Sequence, residues 1–303
     1  MGHHCQDNHH SNLKGKRLVF SIILNIGIVI GQIYGGLISG SLSLLSDALH
    51  NFSDVLALII SYIGNEISKK KFSKTQTFGF KRAEIVAAFI NTATLMFISI
   101  FLIKESIIRF IKIEEVNSSW VIGLSLLSVI LNGISVLLLK KDSKENMNIK
   151  SAYLHLFTDM LTSLAILIGG LVMFYFKVYW LDPLLTILIG LYLMYSSIQL
   201  FLRTIKVLMQ FSPADIDIEK IQGEIQKVKS VQNIHHVHIW ELNDNDIYLE
   251  AHIDIEEDLP LSEVDKLLTS IREILKSKFG ISHTTLQPEF GIKDNKSLIS
   301  DHS

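Results

Sequence analysis

The sequence is poor in charge and in cysteine, and each shortage excludes a class of protein. Only 19% of the 303 residues are Asp, Glu, Lys or Arg, against about 25% in soluble globular proteins, and the mean hydropathy of +0.36 is high. Cys5 is the single cysteine, which excludes a disulfide framework and a CxxC redox or zinc-ribbon site. With 28 Lys and Arg against 30 Asp and Glu, the chain lacks the basic excess of a nucleic-acid-binding protein.

The near-neutral total conceals two parts of opposite charge. Residues 1–211 contain 19 Lys and Arg and 12 Asp and Glu, a net charge of +7, whereas residues 212–303 contain 9 and 18, a net charge of −9. A cationic, apolar part followed by an acidic part of ordinary composition indicates a membrane domain joined to a soluble domain. We predict a His-rich tail, a transmembrane domain, a cytoplasmic domain and a C-terminal tail at residues 1–15, 16–211, 212–292 and 293–303.

Six segments are long and apolar enough to cross a bilayer as helices, which takes about 20 residues. Four contain no Asp, Glu, Lys or Arg, at residues 18–38, 85–103, 120–139 and 183–202. Two more are as apolar but carry a few ionisable residues, at 42–67 and 151–176. Two loops are rich in lysine: 69–82, after the second span, and 140–150, after the fourth. The N-terminal flank of the first span, which would lie on the same side of the membrane, is rich in lysine too. The positive-inside rule then predicts a six-helix bundle with both termini in the cytoplasm.

The two interrupted spans share a motif, His-x-x-x-Asp. His50 and Asp54 lie in one, and His155 and Asp159 in the other. Residues four apart lie on one face of a helix. A charged Asp inside hydrocarbon costs roughly 2.5–3.5 kcal/mol, so such residues are few and usually functional. Two facing helices would supply two imidazoles and two carboxylates, a ligand set suited to tetrahedral Zn²⁺; the alternative is isolated polar residues paired with their neighbours.

Asp47 lies on the same helix face, three residues before His50. It either supports the metal ligands or gives metal access to them, or it serves helix packing, and the sequence leaves both interpretations open.

A metal site of this kind favours transport over catalysis or sensing. His and Asp bind metal only when deprotonated, so metal and protons compete for them, and the free imidazole has a pKa of about 6.5. The expected activity is therefore Zn²⁺/H⁺ antiport. An intramembrane hydrolase needs an open metal position, and the sequence has no HExxH. A membrane metal sensor without flux, or a carrier mainly of Cd²⁺, Co²⁺, Fe²⁺ or Mn²⁺, remains as the alternative.

The acidic part is predicted to fold as an α+β domain. A helix over 216–228 is followed by two strands, 235–242 and 247–255, which a turn-rich segment joins. An amphipathic helix over 261–279 ends at Gly280 and precedes a last strand over 282–290. In the second strand, apolar residues alternate with polar ones, so one face is core. Ligand-type side chains lie on these elements, although several can be ordinary solvent-facing residues: His235, His236, His238, His252, Asp265, His283 and Glu289.

The N-terminal tail contains four histidines and Cys5 within its first ten residues. It either gathers cytosolic Zn²⁺ for transport or is simply a disordered tail.

At its motifs the sequence resembles the cation diffusion facilitator family, especially bacterial zinc, cadmium and cobalt exporters. The similar segments are residues 40–54, 78–84, 155–159, 182–183, 235–240 and 283–287. The resemblance implies a homodimer with six spans per protomer and a cytoplasmic αββαβ domain of the metallochaperone or ferredoxin-like type. It also implies a transport site of His50, Asp54, His155 and Asp159. The loops 69–82 and 140–150 contain no histidine, unlike those of some relatives.

The resemblance further implies that the soluble domain binds zinc, and His235, His252, His283 and Glu289 are the candidates for that second site. We therefore expect a metal efflux transporter, not an enzyme, with no cofactor and with Zn²⁺ as the transported substrate. The expected partners are the lipid bilayer, Zn²⁺, protons and a second copy of the chain, with no nucleic acid. The expected location is the cytoplasmic membrane of a bacterium.

Overall fold

The computed structural model describes residues 26–68, 73–140, 147–244 and 246–299, so the N-terminal tail and residues 18–25 of the first predicted span lie outside the described residues. The chain divides into two compact units, residues 1–62 with 90–201, and residues 63–89 with 202–303. Within the described residues, six helices precede residue 209: α1 Ile26–Ser39, α2 Leu42–Ser68, α3 Ala83–Ile111, α4 Ser118–Leu139, α5 Met147–Phe176 and α6 Leu181–Leu208.

Four of these helices are long and apolar enough to cross a membrane: α3, α4, residues Tyr153–Phe176 of α5, and α6. Their large apolar side chains lie on the outside, as shown by Phe97, Leu137 and Tyr195, which are 72%, 70% and 71% exposed. Helix α4 meanwhile buries four serines and Asn132. A soluble helix would have the opposite pattern. The first part of the chain is therefore that of a multi-pass membrane protein.

Small residues allow helices α4, α5 and α6 to pack closely. Val121, Ile166, Met173 and Leu193 form part of a buried apolar cluster among these helices. At Gly170 a Cβ atom would come within 3.1 Å of the Val121 Cγ1 atom. A Cβ at this position would require the Val121 side chain to move by a few tenths of an ångström.

The second unit contains a helix and strand order of αββαβ, as the family resemblance implies. Its elements are α7 Ile218–Ile225, β1 Val231–Glu241, β2 Ile247–Ile255, α8 Leu261–Phe279 and β3 His283–Glu289. The sheet order is β1-β2-β3, with β2 antiparallel to β1 and parallel to β3. Asp217 is the N-cap of α7, and its carboxylate accepts from two main-chain N–H groups. Helix α8 ends at Gly280, which has a φ of 69°.

The core of this domain lies between the sheet and its two helices. Ile221 of α7, Ile253 of β2 and Ile271 of α8 are fully buried in it. Buried and more exposed side chains alternate along β2 with one departure. Asp254, on the predicted polar face, is only 7% exposed and therefore buried. Residues 294–298, predicted to belong to a tail, lie along β1, where the amide of Val237 donates to the Leu298 carbonyl at 2.9 Å.

Candidate metal centres

Helices α2 and α5 bring four ionisable side chains together. On α2, His50 Nε2 lies 3.6 Å from Asp54 Oδ2 and 3.5 Å from Asp159 Oδ1 of α5. On α5, His155 Nε2 lies 3.3 Å from the same Asp54 oxygen and 3.6 Å from Asp159 Oδ2. Each histidine therefore faces an aspartate of its own helix and one of the other helix. These are the four residues that the sequence pattern singles out.

The spacing between the imidazole nitrogens and the carboxylate oxygens is typical of neighbouring zinc ligands. With Zn–N and Zn–O bonds of about 2.0–2.2 Å, neighbouring ligand atoms of tetrahedral zinc lie about 3.3–3.6 Å apart. The four His–Asp distances fall in that range, with Asp159 facing His50 through Oδ1 and His155 through Oδ2. Within the described part of the chain, Asp54 Oδ2 and Asp159 Oδ1 are buried and accept no hydrogen bond. Both oxygens face imidazole nitrogens at 3.3–3.6 Å, and a cation bound between the two helices would supply the partner that they lack.

Accessibility is unequal around this cluster. The side chain of Asp159 is 2% exposed, whereas that of His155 is 45% exposed. His50 and Asp54 are intermediate, at 13% and 29%. The cluster is therefore closed around Asp159 and most accessible at His155.

The start of α2 is held by a carboxylate from another helix. Asp182, at the first turn of α6 and fully buried, accepts from Ser41 Oγ at 2.6 Å, from Ser43 Oγ at 2.6 Å and from the Leu42 amide at 2.8 Å. It also accepts from the Ser43 amide at 3.3 Å. The chain enters α2 through Gly40, with a φ of 69°. Asp182 thus caps α2 in trans and fixes the helix that carries His50 and Asp54, a role that sequence reasoning missed.

Asp47 is buried among polar side chains of three helices. Its Oδ2 accepts from Gln32 Nε2 of α1 at 2.6 Å and from Ser163 Oγ of α5 at 3.2 Å. Ser163 Oγ in turn lies 2.9 Å from Ser128 Oγ of α4. These contacts tie α1, α2, α4 and α5 together one turn before His50. They support the packing interpretation of Asp47, and Gln32, Ser128 and Ser163 carried no signal in the sequence.

The sheet register brings a second group of ligand-type residues together in the cytoplasmic domain. His235 of β1 is paired with His252 of β2, and Asp254 of β2 is paired with Glu289 of β3. His252 and Asp254 lie two residues apart and therefore on the same face of β2. The sheet thus places residues from three separate stretches of sequence at one end of one face.

The distances within this cluster are short. His252 Nδ1 lies 2.7 Å from Glu289 Oε1, and His235 Nε2 lies 3.4 Å from Glu289 Oε2. Asp294, beyond the last strand, lies 3.2 Å from His235 Nε2 through its Oδ2. Four side chains, His235, His252, Glu289 and Asp294, can each offer one ligand atom, with these atoms within 4.8 Å of one another. The nitrogen and oxygen donors match those of zinc sites.

His283 is not among these residues, although it was predicted to belong to the same site. It is exposed and pairs with Tyr248 at the opposite end of the sheet, with ring centroids 4.7 Å apart. It lies six positions before Glu289 along β3, a distance of about 20 Å. Within this protomer, therefore, the sheet register separates His283 from His235, His252 and Glu289.

Asp254, Asp294 and Lys296 belong to the cluster but were not predicted. Strand alternation could have revealed Asp254, whereas no sequence pattern indicates the two residues beyond β3. A hydrogen bond from Lys296 lowers the pKa of Asp294 below its usual value. Desolvation disfavours the charged form of Lys296, but its hydrogen bonds to Asp254, Asp294 and Glu289 outweigh it and raise the pKa of this amine. The cluster therefore contains a lysine held in its ammonium form.

Comparison with known proteins identifies two family domains in the chain. Residues 18–209 match the cation efflux transmembrane domain, and residues 213–290 match the cytoplasmic domain of cation efflux proteins. Together the two matches cover nearly all of the helices and strands described above.

Several curated proteins are similar over most of their length. A cadmium, cobalt and zinc/H⁺-K⁺ antiporter of Bacillus subtilis is 34% identical over 95% of this chain and 92% of its own. The zinc transporter ZitB of Pectobacterium atrosepticum is 30% identical over 93% and 88%. The metal cation efflux system protein CzcD of Cupriavidus metallidurans is 29% identical over 90% and 86%. The chain therefore belongs to the cation efflux family, which confirms the prediction of a divalent metal cation efflux transporter.

Proposed function

We propose that this protein exports Zn²⁺ from the cytoplasm across the cell membrane in exchange for protons, by alternating access to the cluster of His50, Asp54, His155 and Asp159. The observation that carries the proposal is the geometry of this cluster, with two imidazoles and two carboxylates at 3.3–3.6 Å on helices α2 and α5. Mixed nitrogen and oxygen ligands favour Zn²⁺ and Cd²⁺ over Mn²⁺. The similar cadmium, cobalt and zinc antiporter of Bacillus subtilis adds Co²⁺ to the possible cargo.

Charge balance supports proton exchange at these four residues. Two neutral imidazoles and two carboxylates with one Zn²⁺ have no net charge, and the same groups with two imidazolium protons have none either. A site inside the membrane strongly disfavours net charge. One Zn²⁺ exchanged for two protons therefore keeps the site neutral in both states. In the proton-loaded state each imidazolium would lie next to carboxylates at the observed distances.

The topology and the assembly are part of the same proposal. We expect six spans with both termini in the cytoplasm, because the loops 69–82 and 140–150 and the N-terminal flank are rich in lysine. We also expect a homodimer, and a cytoplasmic zinc site that includes His235, His252 and Glu289, with Asp294 as the fourth ligand in place of His283. The distances within that second cluster support this assignment.

Zinc flux in proteoliposomes tests the proposal. Purified protein in vesicles with an imposed pH gradient should take up Zn²⁺, and Asp54→Ala or Asp159→Ala should abolish the uptake. Thr158→Val is a matched control, because Thr158 neighbours Asp159 but its hydroxyl donates to the Leu154 carbonyl of its own helix. Uptake that persists in both aspartate variants would reject this site.

The same vesicles separate the alternatives. A metal sensor would bind Zn²⁺ and show no flux in any variant. A carrier mainly of Cd²⁺, Co²⁺, Fe²⁺ or Mn²⁺ would transport that ion faster than Zn²⁺ in a panel of divalent cations. Uptake that is independent of the pH gradient would reject proton coupling while leaving metal transport intact.

A further inference from the structure

The cytoplasmic cluster contains a cation supplied by the chain itself. Lys296 Nζ donates to Asp254 Oδ1 at 2.6 Å and to Glu289 Oε2 at 3.3 Å. It lies 3.5 Å from His235 Nε2 and forms an ion pair with Asp294. Its ammonium group therefore contacts three of the four side chains that could hold a metal ion there.

A lysine ammonium and a divalent ion cannot share this position. Zinc binds carboxylate oxygen and imidazole nitrogen at about 2.0–2.2 Å, which would place it among the atoms that now surround the Lys296 Nζ. Without either cation, the buried carboxylates of Asp254 and Glu289, 7% and 4% exposed, would be left without a counter-charge, and this is strongly unfavourable. Lys296 thus stabilises the metal-free form of the cluster.

Lys296 also anchors the segment that follows β3. Among the described residues, no strand pairs with the outer edge of β1 in the β1–β2–β3 sheet. There the His236 and Val237 amides donate to the Ser297 and Leu298 carbonyls at 3.3 Å and 2.9 Å. The side chain of Leu298 packs against the core of the domain. Lys296, Ser297 and Leu298 therefore form one short strap across the edge of β1.

We propose that Lys296 is a built-in competitor for the cytoplasmic metal site, so that a bound divalent ion expels its ammonium group and loosens the strap from β1. The strap would then report metal in the cytoplasmic domain as a change in the exposure of residues 296–298. This inference concerns the cytoplasmic cluster and does not depend on transport through α2 and α5.

Amine footprinting of the full-length protein tests the expulsion of Lys296. The detergent-purified chain is acetylated with and without Zn²⁺, and modification of each lysine is quantified by mass spectrometry. Acetylation of Lys296 should rise several-fold with Zn²⁺, while exposed Lys293 in the same segment stays constant as an internal control. Unchanged or reduced modification of Lys296 at saturating Zn²⁺ would overturn the proposal.

Two variants locate the response. His235→Gln should abolish the effect of Zn²⁺ on Lys296, whereas the Asp54→Asn, Asp159→Asn double variant should retain it, which separates this inference from the proposed transport. If the effect of Zn²⁺ on Lys296 acetylation were lost only in the double variant, local competition between Zn²⁺ and Lys296 would be refuted.

Hydrogen exchange provides a measurement without metal. Lys296→Gln should increase exchange at the amides of His236 and Val237, whereas Lys296→Arg and Lys293→Gln should not. Full protection of these amides in Lys296→Gln would show that the ammonium does not hold the strap.

Discussion

Replacing Asp182 should destabilise the membrane unit more than any ordinary surface change. Its carboxylate accepts four hydrogen bonds from Ser41, Leu42 and Ser43 at the start of α2, and it is fully buried. A hydrogen bond to a charged group contributes about 1.5–3 kcal/mol, and a buried donor left without a partner costs about 1–3 kcal/mol. The four bonds share two oxygens, and the serine hydroxyls can find other acceptors. We therefore expect Asp182→Ala to lower the free energy of unfolding by about 3–5 kcal/mol in total.

The assay is thermal unfolding of the detergent-purified protein, followed by tryptophan fluorescence. The midpoint for Asp182→Ala should fall by about 10 °C. Asp182→Asn keeps one acceptor oxygen but turns an amide donor toward the α2 amides. Its unfolding midpoint should therefore lie between those of the unaltered protein and Asp182→Ala. Zinc uptake should also fall, because His50 follows the capped turn by about two helical turns. Asp215→Ala, at an exposed position, is the control and should leave the midpoint unchanged. An unfolding midpoint of Asp182→Ala within about 2 °C of that of the unaltered protein would refute the reasoning.

Two further predictions concern selectivity and acid stability. His50→Asp replaces a nitrogen ligand with a harder oxygen ligand, so Mn²⁺ transport relative to Zn²⁺ should rise in a flux panel, and an unchanged ion ratio would contradict the assigned ligand. Hydrogen bonds from Lys227 and Lys278 lower the pKa of Glu224 from 4.5 to about 2, so its stabilising effect is present above pH 4.5 and is lost as pH falls toward 2. The difference in melting midpoint between unaltered protein and Glu224→Gln should therefore shrink with acidification, whereas exposed Glu257→Gln should show little difference at either pH.

Much of the architecture could be predicted because membrane spans and strands leave periodic patterns in sequence. The predicted spans at 85–103 and 120–139 lie within α3 and α4, since a long apolar run has few stable alternatives in a bilayer. Helix α8 coincides with its prediction because Gly280 provides a left-handed C-terminal turn. Strand β1 begins at Val231, four residues before its prediction, because its first residues contain no clear alternation.

The sequence singled out the four side chains that meet between α2 and α5 but could only partly predict the cytoplasmic cluster. His50 and Asp54 lie four residues apart, so helix geometry alone places them on one face. In the sheet, by contrast, strand register decides which residues meet, and register depends on pairing between distant segments. That is why His283 was grouped with Glu289 although the two lie at opposite ends of β3.

By itself, the sequence determined the apolar helices, the paired His-x-x-x-Asp motifs and the αββαβ order, since each depends on neighbours along the chain. Only the tertiary structure decided that His50 and His155 face each other's aspartates, that Asp182 caps α2 from α6 and that Lys296 occupies the cytoplasmic cluster. Contacts of this second kind join residues about 40–140 positions apart, and they form because buried charges must find a partner wherever the fold brings one.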